Sequence, residues 1–156
     1  MAGSDQRIEV LLWSIALPGF GQLLNGKLFK SILFIGLEFL VNAQARINDV
    51  IYFSFIGDAA QAWDKTNLQW LMFYPCVYMF ACWDAYRDAG GNSPLAFLPF
   101  VMGAYFGTLG IIFSGILRID SFFAGPMWLP LGAMIAGAAA GILIKRRWGG
   151  RMETRL

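Results

Sequence analysis

Charged side chains are only 14% of this chain, and they fall almost entirely into the gaps between long apolar runs. Soluble domains carry roughly 25% charge. With 58% hydrophobic residues, a 156-residue fold has too little polar surface to cover its core. The pattern therefore predicts an all-α, polytopic transmembrane helical bundle with four to five membrane segments, with the lipid bilayer as its main solvent.

The rest of the composition narrows the chemistry. Net charge is +2, which gives no electrostatic footprint for nucleic acid. His is absent, removing the commonest general base and metal ligand together. Cys76 and Cys82 sit six apart in one apolar run and point to different helix faces, so neither a mutual disulfide nor a metal pair fits. The serines have no His or Ser-xx-Lys partner, and Asp58 and Asp64 lie outside any apolar run. No catalytic residue, cofactor or metal site is expected.

Leu17-Pro18-Gly19-Phe20-Gly21-Gln22-Leu23-Leu24-Asn25-Gly26-Lys27 breaks the first apolar run. Pro18 ends or kinks a helix, and Gly19, Gly21 and Gly26 permit tight turns or close backbone approach. The run Ile8 to Leu24 is read as a short kinked span, with a re-entrant hairpin as the competing reading. Met1 to Gln6 is expected to be a flexible polar end, and Asp5 and Glu9 argue against a cleaved signal peptide.

Segment two, Ser31 to Ala45, begins after the Lys27/Lys30 boundary and carries Glu38, with Asn42 one turn on and Gln44 beyond. A carboxyl inside such a run normally faces protein or water; Asn42, Gln44 and Ser14 are its candidate partners. Arg46 to Asn67 mixes Asp49, Asp58, Asp64 and Lys65 with aromatics, which suggests a short interfacial helix on the outer side. Segment three, Leu68 to Ala85, is bracketed by Trp70 and Trp83 and interrupted at Pro75 between Tyr74 and Tyr78. Asp84 and Arg87 can pair across one turn at its end.

Asp88 to Pro94 reads as a loop. Segment four, Leu95 to Leu117, looks long enough to span, and Arg118-Ile119-Asp120 forms a tight polar turn into segment five, Ser121 to Ile144. Gly103/Gly107 and Gly137/Gly141 fit the small-xxx-small rule for close helix crossing. Lys145-Arg146-Arg147 opens a basic tail that marks topology first and anionic-lipid contact second. The chain thus divides into 1-89, three segments and an outer loop, and 90-156, a two-helix hairpin.

Lys27, Lys30, Arg87, Lys145, Arg146, Arg147, Arg151 and Arg155 collect on one side, against Arg7, Arg46, Lys65 and Arg118 on the other. The first side should be cytoplasmic, with the C-terminus on the cytoplasmic side of a bacterial inner membrane.

Pro18-Gly19-Phe20-Gly21-Gln22, then Gly26 and Lys27, resembles the PGxGQ…G…K opening of small bacterial membrane proteins similar to the two-transmembrane-segment domain family. Trp83-Asp84-Ala85-Tyr86-Arg87 resembles that family's closing aromatic-Asp pair. The likeness covers Ile8 to Ala89; Ser31 departs from it, and the long outer loop and segments four and five are additional. It implies an integral membrane location and a compact hairpin, and points to no settled activity. Two functions remain: a non-catalytic scaffold or accessory subunit binding another membrane protein, or a small oligomeric channel or carrier with Glu38 as its proton or cation site.

Overall fold

A computed structural model describes residues 2–119 and 122–153. Among them the protein is all-α apart from one two-residue ribbon. The helices are α1 (Ala2–Ala16), α2 (Phe20–Leu24), α3 (Leu28–Ala45), α4 (Ile47–Phe55), α5 (Ala59–Lys65), α6 (Leu68–Leu71), α7 (Tyr74–Asp88), α8 (Leu98–Ser114) and α9 (Gly125–Glu153). Between α8 and α9, β1 (Arg118–Ile119) pairs antiparallel with β2 (Phe122–Phe123). The expected polar turn there is this ribbon; its tip at Asp120 and Ser121 lies outside the described residues, as does Arg155.

The helices run up and down around α7. Tyr78 Oη donates to the Ile15 carbonyl, Cys82 Sγ contacts the Ser14 carbonyl, and Arg7 reaches the Gly90 carbonyl, so α1 runs antiparallel along α7. Lys30 meets Asp88, Phe34 meets Phe80 and Glu38 meets Tyr74, so α3 is antiparallel to α7 as well. Both α1 and α3 therefore travel the same way, which requires the chain between them to turn back. The first apolar run therefore doubles back as a helical hairpin and is not one continuous kinked helix. The tertiary contacts of α2 decided this, and they are invisible in local sequence.

Other boundaries move for identifiable reasons. Residues Ala2 to Gln6 are helical, with Asp5 in the first turn where the helix dipole favours an acid. Pro75 lies in the first turn of α7, where its missing N–H is harmless, and the chain breaks before it at Met72–Phe73 instead of at mid-segment. The mixed loop holds two helices, joined to α3 through Arg46 at φ 60°. The α8 helix is 17 residues, shorter than its apolar run, while α9 extends beyond Ile144 to Glu153.

Two helices, Leu28–Ala45 and Gly125–Trp148, are long and apolar enough to cross a membrane, and Leu98–Ser114 is a shorter apolar helix. Only 28% and 17% of the first two are buried, whereas the core helix of a soluble fold is mostly buried. Their outward side chains include Phe29, Ile32, Phe39 and Leu143, the first 81% exposed. An apolar surface of this extent marks contact with lipid or protein.

The α8 and α9 helices pack antiparallel through glycines. A Cβ on Gly137 would lie 2.5 Å from the Met102 carbonyl oxygen, and one on Gly141 would lie 2.6 Å from that of Leu98. Gly103 and Gly107 face both Met134 of α9 and α7, at Met79 and Pro75. At the far end α5 caps the bundle: Trp63 covers Gly115, and Ala59 lies against Gly125. Trp128 Nε1 donates to the Ser54 carbonyl at 3.3 Å, joining α9 to α4. The 1-89 and 90-156 portions thus share α7–α8 and α4–α9 contacts.

Candidate functional site

The motif at 18–26 builds its own turn. Pro18 follows the last residues of α1, and Gly19 at φ 105° starts α2 with a dihedral that other residues rarely adopt. A Cβ at Gly19 would also lie 2.8 Å from the Ser31 carbonyl oxygen. One at Gly21 would collide with Ser14 Oγ and sit 2.8 Å from Ala85 Cβ, so α2 is wedged between α1 and α7. Gly26 at φ 71° ends α2 with Lys27 N donating to Gln22 O and Gly26 N to Leu23 O, the Schellman pattern.

Wedged there, α2 carries amides into a buried place that needs partners. Gln22, fully buried, donates through Nε2 to the Ala81 carbonyl at 2.8 Å and to Asp84 Oδ2 at 3.3 Å. Asn25 Nδ2 donates to the Ala85 carbonyl at 2.8 Å. Lys30 then bridges two carboxylates one turn apart, Asp84 Oδ1 and Asp88 Oδ2, both at 2.8 Å. Arg87 completes the cluster: its guanidinium bonds Asp84 at 3.1 Å and stacks 4.4 Å over the Trp83 ring. Five polar residues, Gln22 of α2, Lys30 of α3 and Asp84, Arg87 and Asp88 of α7, thus form one network, with Asn25 tied to the α7 backbone beside it. Sequence reasoning paired Asp84 with Arg87 but missed Lys30 and Gln22 as its partners. Their signal was a cation at a segment boundary and a carboxylate at the opposing boundary.

Glu38 is buried on α3, and its Oε1 accepts a hydrogen bond from Tyr74 Oη at 3.1 Å. Its Oε2 has no partner among the described residues. Asn42 turns instead toward Asn48 at 3.5 Å, Gln44 is exposed, and Ser14 Oγ is used by the Val10 carbonyl. The three intramembrane polar candidates are therefore not gathered into one path within the chain. The partner overlooked was Tyr74, a phenol on the facing segment in a position to donate to a buried carboxylate.

Cys76 is exposed beside Thr108 and Cys82 is buried, on different faces of α7. Among the described residues no group of three or more His, Cys, Asp or Glu is placed to hold a metal ion. A groove of about 430 Å³ opens between α7 and α8, lined by apolar and aromatic side chains including Met79, Phe80, Trp83, Val101 and Tyr105. No family model, no curated protein and no solved structure matches the chain.

Proposed function

We propose that this protein is a polytopic membrane protein that acts as a non-catalytic scaffold or accessory subunit for another membrane protein. In this reading α3, α6–α7, α8 and α9 cross the bilayer, and α1–α2 dips into it and leaves on the side it entered. At 1.5 Å per residue α3 extends roughly 27 Å, close to the bilayer's apolar thickness. Arg7, Lys27, Lys30, Arg87, Lys145, Arg146 and Arg147 then share one end, which is the cytoplasmic end of a bacterial inner membrane by the positive-inside rule. Both termini lie on that side.

One observation carries the reading. Gln22, Lys30, Asp84, Arg87 and Asp88 are consumed in holding α2 and α3 to α7, while the apolar groove between α7 and α8 faces outward. Pro18–Lys30 and Trp83–Arg87 are distant in sequence and meet in space. A segment of a partner protein seated in the α7–α8 groove would cover Val101 and Tyr105, which are 53% and 61% exposed.

The test is native mass spectrometry of the chain isolated in lipid nanodiscs at its own expression level. The expected particle contains a second membrane protein in stoichiometric amount, and Ala104→Trp, which fills the groove, removes it. The alternative, a small oligomeric channel or carrier, rests on the unpartnered Glu38 Oε2. A homo-oligomer without other protein, together with liposome flux abolished by Glu38→Gln, would replace the scaffold with that channel.

A further inference from the structure

At the basic end, α1, α7, α8 and α9 leave a cavity of about 320 Å³ between them, a volume within the range of ligand sites. Its lining has two characters. Leu11, Phe100 and Ile142 supply apolar lining, and Tyr86, Lys145 and Arg146 add a phenol and two cations. We infer that this cavity binds the phosphodiester headgroup of an anionic membrane phospholipid, with the start of its acyl chains against the apolar lining.

The polar lining is built and unspent. Tyr86 is held by the Phe100 ring, 5.9 Å away between centroids, and by Gly91, where a Cβ would collide with the phenol ring. That fixes the ring, yet its hydroxyl has no hydrogen-bond partner among the described residues. Neither Lys145 nor Arg146 has an ion-pair partner there either. This contrasts with Lys30, Arg46 and Arg87, each of which is paired with a carboxylate. Two cations and a phenol lining one cavity match an anion with several acceptor oxygens, and Arg suits phosphate geometry. The apolar lining selects an amphiphile over a free anion. The inference rests on the membrane placement proposed above, which sets this end of α9 at headgroup depth.

The experiment incorporates the full chain into phosphatidylcholine nanodiscs containing a minor fraction of phosphatidylglycerol and counts lipids retained on release by native mass spectrometry. One phosphatidylglycerol per chain should be retained in preference to phosphatidylcholine. Lys145→Gln and Arg146→Gln should each lower retention roughly fivefold, the effect of one cation near an anionic headgroup. Tyr86→Phe should lower it about threefold through the lost hydrogen bond, with the helical circular dichroism unchanged. Arg147→Gln, outside the cavity, should leave it unchanged. The proposal is overturned if Arg147→Gln acts as strongly as Arg146→Gln, since the attraction is then diffuse. Displacement of the lipid by inorganic phosphate would also overturn it, because the site would then read the free anion, as would equal retention of both lipids. Failure of the chain to enter nanodiscs at all would overturn the membrane placement itself, an outcome distinct from the others.

Discussion

Replacing Asp84 tests whether the polar network holds the bundle together. Its side chain is 5% exposed and accepts from Lys30 at 2.8 Å, Arg87 at 3.1 Å and Gln22 at 3.3 Å. Hydrogen bonds to charged groups contribute about 1.5–3 kcal/mol each. The loss in Asp84→Ala is less than their sum, because every donor keeps another partner. Lys30 retains Asp88, Gln22 retains the Ala81 carbonyl, and Arg87 retains its stack on Trp83. We predict a net destabilisation of about 2–3 kcal/mol. A double-mutant cycle of Lys30→Met with Asp84→Ala should give a coupling of about 1.5 kcal/mol. The internal reference is Arg46–Asp49, a pair 2.7 Å apart but with side chains 51% and 42% exposed. Its cycle should give about 0.5 kcal/mol or less, falling further in high salt. Denaturant unfolding in micelles, followed by tryptophan fluorescence, reads both cycles under the same conditions. Equal couplings in the two cycles would refute the argument that burial of Asp84 makes its network structural.

Gly137→Leu and Gly141→Leu should each destabilise by at least about 2 kcal/mol, since the obstructing atoms are backbone carbonyls that cannot swing aside. Gly132→Leu, with nothing within 4 Å of its Cβ position, should unfold like the parent in the same denaturant series. Gly19→Ala should lower the unfolding midpoint through both the φ of 105° and the approach to Ser31 O, and a parent-like midpoint would remove the claim that this turn is strained for other residues. In sealed vesicles, a cysteine at Gly3 and one at Arg147 should react with an impermeant maleimide from the same side, and one at Asn48 from the other. Labelling of positions 3 and 147 from opposite sides would mean that α1–α2 spans after all.

The residues that break the chain were legible; the direction in which it resumed was not. Pro18, Gly19 and Gly26 mark a turn by their own backbone chemistry, and the Gly137/Gly141 spacing marks a packing face by lack of side chains. Whether α2 continues or doubles back depends on Gly21 fitting against Ser14 and Ala85, and Ala85 is 64 positions away in the chain. The same distance hid the candidate site. Lys30 looked like a boundary cation and Asp84 like half of a local i,i+3 pair, since a lone sequence shows no contact across 54 positions. Glu38 was recognisable as a buried carboxyl that needs a donor, but its neighbours in sequence were not its neighbours in space. Local chemistry gave the breaks, and tertiary pairing gave the partners.

The hairpin at the start of the chain has a consequence for its synthesis. Gln22, fully buried, and the half-buried Asn25 are made before their acceptors, the carbonyls of Ala81 and Ala85, about 60 residues later. In the proposed membrane placement, those amides have no partner in hydrocarbon until α7 has been made, and an unsatisfied polar group there is costly. In that placement the α1–α2 hairpin, made before α7, settles only after it, held at the water interface until then by its own glutamine and asparagine. A nascent chain arrested after Asn67 should leave residues 17–27 open to an added protease, and protection at that length would mean the hairpin seats without α7.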